Sequence, residues 1–486
     1  MSLKIAAHGF GPLGDGEVSI APLTVFIGPN NTGKSFLAML TYAASHVGPF
    51  RGPFFLPRGS VAWERGRFVF YHDPMETRIS KEVDSYLRES AVRGKLDPSK
   101  APEEFLVTFG DAVRRNLDRF GQTFVAEIER CFGRSLRELV PRADGASSGT
   151  ASWIQVTHER PKWSLRVNIG KTRGTPTLLD VPDAARIFRD VARSCDLTRK
   201  RVPSELLWAD LLELTRRKCF ADFPRNAYYL PAARSGILHS HKLLASIIVT
   251  RSPLAGIEDM QVPKMTGVIS DFISRLLQLG PQRKGKLSSL ADLLESDALQ
   301  GAVGIRGRNR PGYPEIVYQD RWGRHQLQST SSMVSELAPV VLFLRYLIEP
   351  REMVIIEEPE SHLHPAIQRR FARILVRVVN SGVTVVLTTH SDYFLNQINN
   401  LIVASNLSAD QRLEAGFKEE DCLKSADVRA YLFGPGASGQ GTNIKAIRVT
   451  RKEGISESEF QRAAESLYQE TVILQRQLLQ GVHENS

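Results

Sequence analysis

The chain has 486 residues, with 63 Lys and Arg against 53 Asp and Glu, for a formal charge of +10. Hydrophobic residues at 42% and charged residues at 24% match an ordinary globular composition, which excludes a disordered or low-complexity polymer. No run approaches the roughly 18 to 20 apolar residues of a bilayer span, because Val340–Leu344 is ended by Arg345 and the start reaches Gly9 and Gly11 before any leader-like stretch.

The first residues read as strands: Leu3 to Ala7, Gly16 to Ile20 and Leu23 to Ile27, with Gly and Pro between them. The third runs into Gly28-Pro29-Asn30-Asn31-Thr32-Gly33-Lys34-Ser35, and Phe36 to Ala44 then has helix-forming composition. Residues 77 to 140 read as amphipathic helices, with Ile79, Val83, Tyr86 and Leu87, then Phe105, Phe109, Ala112, Val113 and Leu117, on single faces. Ile154 and Val156, then Trp163, Leu165, Val167 and Ile169, alternate as a hairpin. Helical segments resume at 182–218 and 269–279, and a second strand pair is expected at 302–305 and 316–318.

Beyond Ser329 a helix from Ser332 to Leu347 leads to the strand Met353 to Ile356. A helix carrying Ile367, Phe371, Ile374, Leu375 and Val378 follows, then a strand over Val383 to Thr389. Continuous β-branched runs alternating with helices predict an α/β fold whose parallel sheet is covered on both faces. Asp427 to Phe433 and Asn443 to Val449 read as closing strands. A last helix from Ser456 carries an apolar seam through Phe460, Ala464, Leu467, Thr471, Leu474 and Leu478. Cys131, Cys195, Cys219 and Cys422 lie far apart and read as reduced thiols, in keeping with a cytoplasmic location.

Gly28-x4-Gly33-Lys34-Ser35 is a complete Walker A pattern in the required strand–loop–helix context. Its glycines let backbone N–H groups of the segment Gly28, Pro29, Asn30, Asn31, Thr32, Gly33 turn toward phosphates. Lys34 is expected to reach the β/γ oxygens and the Ser35 hydroxyl to ligate Mg²⁺. The strand Met353 to Ile356 delivers Glu357-Glu358-Pro359-Glu360 at its carboxyl edge. Glu357 is expected to hold Mg²⁺, and Glu358 to orient and deprotonate the attacking water. Three adjacent carboxylates repel unless cations are near, which favours a site over a solvated turn. His390, in Thr388-Thr389-His390-Ser391, can donate to a γ-phosphate, and Arg234 is expected to face polyphosphate.

Together these strings resemble the ABC-type ATPase class, in the soluble SMC/RecF/OLD-like branch that includes many bacterial "AAA family ATPase" proteins. The resemblance rests on Gly28 to Ser35, on Glu357 to Pro365 with its Glu-Glu-Pro-Glu and His-Leu-His-Pro halves, and on Thr388 to Ser391; Tyr228 to Ser235 also looks like the Pro-Ala-x-Arg segment of such proteins. It covers about residues 1–45 and 225–470. It implies a P-loop NTPase ABC-type head: a mixed sheet with helices on both faces plus an antiparallel β lobe. The implied division is an N-terminal head part (1–76), a mostly helical insertion with a β-hairpin (77–225) projecting from the head, and a C-terminal head part (226–486). The ligands implied are ATP and Mg²⁺. The heads would form a homodimer or higher homo-oligomer with nucleotide at the interface, each site completed by a serine-bearing signature loop in trans. The matching place is Ser329 to Glu336, with Ser331 and Ser332 as the phosphate contacts and Met333 where the usual glycine would stand. His364 sits at the D-loop position and reads equally as an interface histidine or a catalytic contact.

The resemblance further implies a nucleotide-gated regulator of a separately encoded effector, a nuclease or toxin, in bacterial anti-phage defence. A DNA-stimulated RecF/SMC-like repair ATPase and a non-hydrolysing nucleotide-dependent scaffold are the rivals. Glu419-Glu420-Asp421 follows no apolar strand and the tail has no Asp-x-Asp pair, so no TOPRIM nuclease domain is expected. Basic segments at 199–201, 216–218 and 283–286, with Arg306, Arg308, Arg310, Arg321 and Arg324, read first as solvated faces and together as a DNA-facing surface driven by phosphate contacts.

Overall fold

The computed structural model describes residues 3–47, 61–64, 67–70, 80–140, 151–170, 173–195, 204–232, 234–240, 265–279, 283–306, 315–436, 441–456, 469–470 and 472–473. The apolar seam of the last helix and the basic residues 199–201, 308 and 310 lie outside them.

The strands are β1 (Leu3–Phe10), β2 (Leu13–Ser19), β3 (Leu23–Ile27), β4 (Val61–Glu64), β5 (Arg67–Phe70), β6 (Trp153–Glu159), β7 (Lys162–Ile169), β8 (Gly174–Asp180), β9 (Ala227–Leu230), β10 (Ala302–Arg306), β11 (Glu315–Asp320), β12 (Gly323–Gln326), β13 (Met353–Glu357), β14 (Thr384–Thr389), β15 (Val428–Pro435) and β16 (Thr442–Ile447). Eleven of them form one mixed sheet in the order β8-β7-β6-β1-β2-β16-β15-β3-β14-β13-β9. Its β9-β13-β14-β3-β15 part is parallel throughout. The remainder is antiparallel apart from the β16–β2 pairing.

β3, β13 and β14 are buried at every residue because both faces are covered. Strand alternation sends Phe26, Met353, Ile355 and Val386 into one core with the helix α1 (Lys34–His46). It sends Val25, Ile27, Val354, Ile356, Val385 and Leu387 into a second core, with the helices Ser332–Tyr346, Pro365–Asn380 and Asp392–Ala404. This is the expected mixed sheet with helices on both faces and an antiparallel lobe.

The stretch expected to project from the head instead extends its sheet. β6 pairs antiparallel with β1, from Leu3 opposite His158 to His8 opposite Trp153, and β8 adds a third strand beyond the predicted hairpin. Helices α2 (Lys81–Arg93), α3 (Glu103–Phe132), α4 (Ala184–Ala192) and α5 (Ser204–Cys219) pack over this lobe and share the α1 core. Phe105, Phe109, Phe120, Phe124 and Ile128 of α3 are fully buried there, each worth roughly 1.5–3 kcal/mol. Gly121 permits the approach: a Cβ there would lie 2.5 Å from Leu165 Cδ1 and 2.8 Å from Pro176 Cβ. β10, β11 and β12 form a separate three-stranded sheet that leads into the helix Ser332–Tyr346. Among the described residues no helix is long and apolar enough to cross a membrane.

Candidate nucleotide site

The parallel register brings three sequence-distant segments to one edge. β14 lies between β3 and β13, with Thr389 opposite Ile27 and Thr388 opposite Glu357. At about 4.8 Å between strands, the Gly28 loop and the Glu357 turn start roughly 10 Å apart, within reach of one polyphosphate.

The loop after β3 has Gly28 at φ 148°, Asn31 at 63° and Gly33 at 84°. A Cβ on Gly28 would sit 2.4 Å from the Phe433 carbonyl oxygen, so the loop depends on glycine there. The first turn of α1 carries no acidic residue and no side chain caps it, leaving its N–H groups and positive dipole end for an anion. Lys34 Nζ donates to the carbonyls of Gly28 at 2.7 Å and Pro29 at 2.6 Å. Burial lowers the Lys34 pKa, and the charges of Glu358, Glu360 and Glu357 oppose that shift. Pro29, Asn30, Asn31 and Ser35 are exposed.

Glu357 ends β13 and is buried. Its Oε2 accepts from the Ala232 N–H at 3.2 Å, while Oε1 has no hydrogen-bond partner. A buried carboxylate oxygen without a hydrogen bond is unfavourable by itself, and a carboxylate and a hydroxyl such as those of Glu357 and Ser35 are the kind of oxygen ligands that a hard divalent cation takes. Burial, followed by the Glu357 charge, pushes the neighbouring Tyr229 phenol well above its usual pKa. Glu358 adopts φ 42°. Its N–H donates to the Thr388 carbonyl at 2.9 Å, and its Oε2 accepts from Ser361 Oγ at 3.0 Å. His390 is half-exposed, its Nδ1 3.8 Å from Glu358 Oε1 and 3.4 Å from Glu360 Oε1.

Sequence reasoning left Glu360 as one of a cluster, yet it organises the turn. Buried, it accepts from Thr389 Oγ1 at 2.8 Å and from the His390 N–H at 2.9 Å. Gln368 was also missed: its side chain donates to the Leu363 carbonyl and accepts from Ser391 Oγ at 2.7 Å. His364 caps the helix Pro365–Asn380, with Nδ1 accepting from the Ala366 N–H at 3.3 Å.

One expectation changes. Arg234 does not face polyphosphate: it is fully buried, donates to the backbone carbonyls of Pro231, Glu357 and Glu358, and pairs with Glu336 at 3.0 Å. The Met333 side chain is partly buried against the second core. Ser331 caps the helix by accepting from the Val334 N–H, and Ser331 and Ser332 are exposed. This helix and α1 belong to opposite layers of the sheet.

Several basic residues are committed to local ion pairs: Arg216 and Arg217 with Glu213, Lys218 with Asp190, and Lys284 with Asp292. His46, Glu127 and Asp271 converge with metal-ligand spacing. Arg130 Nη2 already lies 2.7 Å from Glu127 and 2.5 Å from Asp271, so this cluster is a structural ion-pair network joining α1, α3 and the helix Gly267–Leu277.

Residues 328–396 match the family model described as "AAA domain, putative AbiEii toxin, Type IV TA system". No curated protein matches the chain. Among solved structures, the chain is similar to an SMC head bound to the C-terminal winged-helix domain of ScpA, at 10% identity and TM-score 0.41, covering 92% of this chain and 98% of that one. It is similar to the SMC head domain from Thermotoga maritima, at 11% identity and TM-score 0.34, covering 92% and 100%. It is also similar to an SMC head with an extended coiled coil bound to the C-terminal domain of ScpA derived from Pyrococcus furiosus, at 11% identity and TM-score 0.39, covering 96% and 98%. The segment similar to that family model includes the strand that ends in Glu357 and the turn that carries Glu358, and the sheet order is that of a mixed α/β fold with helices on both faces.

Proposed function

We propose that the chain binds ATP with Mg²⁺ in the Gly28–Ser35 loop and hydrolyses it, with Glu358 as the base for the attacking water. The observation that carries this reading is the convergence of Lys34 with Glu357, Glu358 and Glu360 at one sheet edge, where the three carboxylate charges oppose the desolvation of the Lys34 ammonium. Ser35 and Glu357 would hold Mg²⁺, which neutralises charge on the β/γ-phosphates. Glu358, one-third exposed, is accessible to water, and His390 lies beside it to donate to a γ-phosphate.

Two copies would meet head to head, the exposed Ser331 and Ser332 of one completing the site of the other. The exposure of Ser331 and Ser332 at the start of their helix supports completion in trans. The role we infer is a cytoplasmic, nucleotide-gated regulator of a separately encoded effector in anti-phage defence. The family description, with its toxin and toxin–antitoxin terms, supports that class of partner. DNA-stimulated turnover is the weaker reading, because four of the basic residues that suggested it are paired with carboxylates.

Phosphate release measured against protein concentration tests the proposal: specific activity rises as dimers form. Concentration-independent activity would reject completion in trans, and no release with saturating Mg²⁺ and ATP would reject hydrolysis.

A further inference from the structure

We propose that Arg234 and Glu336 are positioning residues through which engagement of the Ser331–Ser332 loop is felt at Glu358. This rests on the reading that the loop docks on a second copy's nucleotide. Three observations place the pair between the two elements.

First, Glu336 lies one turn after Ser332 on the same helix, so a displacement of the exposed helix start carries Glu336 with it. Its Oε1 accepts from Ser235 Oγ at 2.7 Å and the Ser235 N–H at 3.3 Å, while Oε2 lies 3.0 Å from Arg234 Nε, oblique rather than in line as a hydrogen bond. Second, the Arg234 guanidinium is a rigid plane of donors. Nη1 donates to the Glu357 carbonyl at 2.7 Å and Nη2 to the Glu358 carbonyl at 3.2 Å. These two carbonyls bracket the Glu358 Cα. Third, Glu358 is held at φ 42°, a left-handed conformation that a residue with a Cβ rarely adopts without support. Its N–H bond to Thr388 and the Arg234 clamp supply that support, and the backbone so fixed aims the carboxylate.

Arg234 is 0% and Glu336 1% exposed. Two ions this deep are expensive to desolvate, and apolar residues of like volume could fill the space. Their placement is therefore explained by what they connect rather than by packing. A small rotation of the helix moves Glu336, shifts the guanidinium plane and re-aims Glu358, so the base is in register only when the loop is engaged.

The test compares Glu336→Gln and the double replacement R234M/E336L with the unaltered full chain. The double replacement removes both charges together, so no ion is left buried and alone. Three readouts are taken: MgATP affinity, ATP-dependent dimer formation by size exclusion, and steady-state phosphate release across protein concentrations. In both variants, affinity and KM are expected within about twofold of the unaltered chain, with dimers retained and kcat at least tenfold lower, since a base loses on the order of a hundredfold or more when misplaced. Variants with unaltered kcat and an active parent overturn the link alone. A parent without phosphate release overturns the hydrolytic reading, and this inference with it.

Discussion

Glu360 Oε1 accepts hydrogen bonds from the Thr389 hydroxyl at 2.8 Å and from the His390 backbone N–H at 2.9 Å, so a single buried carboxylate ties the turn after β13 to the end of β14. The contact sets where His390 stands relative to Glu358. Replacing Glu360 with Ala leaves those buried donors unsatisfied and is expected to cost about 1–3 kcal/mol and to lower turnover with it. Chemical denaturation against the unaltered chain measures the first effect, and unchanged stability would show that the carboxylate does not hold the two strands together.

Among the described residues, the Lys34 ammonium group donates to two loop carbonyls, those of Gly28 and Pro29. Lys34→Ala should therefore leave the fold intact and weaken MgATP binding by at least tenfold, about 1.4 kcal/mol. Calorimetric titration reads the affinity; binding at the parent level would remove Lys34 from the phosphate site.

Gly28 combines φ 148° with a Phe433 carbonyl 2.4 Å from where a Cβ would be. Gly28→Ala must move β15 or the loop, and a loss of roughly 1–3 kcal/mol with loss of nucleotide binding is expected. Urea midpoints within error of the parent would mean that the loop has another accessible conformation.

Acid stability should report the network at the base of α1. Burial alone would raise the Glu127 carboxyl, but hydrogen bonds from Arg130 and His46 outweigh it and hold the pKa at about 2 against an ordinary 4.5. A pKa depressed on folding contributes stability that is present above the unfolded value, and this one is lost as pH falls from 4.5 toward 2. The displacement corresponds to roughly 3 kcal/mol. Urea midpoints of the parent and Glu127→Gln should therefore draw together as pH falls from 4.5 toward 2; parallel curves would contradict the assignment.

The candidate site was legible in sequence because each of its parts is a contiguous string at a strand end. Continuous apolar runs such as Met353–Ile356 also reveal a strand buried on both faces without its neighbours being known. What escaped is non-local. Alternation in Ile154 and Val156 reveals one buried face, but not that β6 docks on β1 and joins the lobe to the head sheet. Arg234 read as a phosphate ligand because a cation near a nucleotide motif suggests an anion outside the chain. Its actual partner, Glu336, is far away in sequence, and nothing in the Ser329 to Glu336 segment where it stands points to that pairing. Gln368 likewise has meaning only once Leu363 and Ser391 are brought beside it.

The most direct measurement is the Glu358→Gln chain assayed for both MgATP binding and single-turnover phosphate release. With Glu358 as the base, affinity stays within about twofold and release slows by roughly a hundredfold or more, leaving a long-lived ATP-bound state. Release at the parent rate would contradict the assignment of the base, and with it the catalytic reading of the Glu357–Glu358 turn.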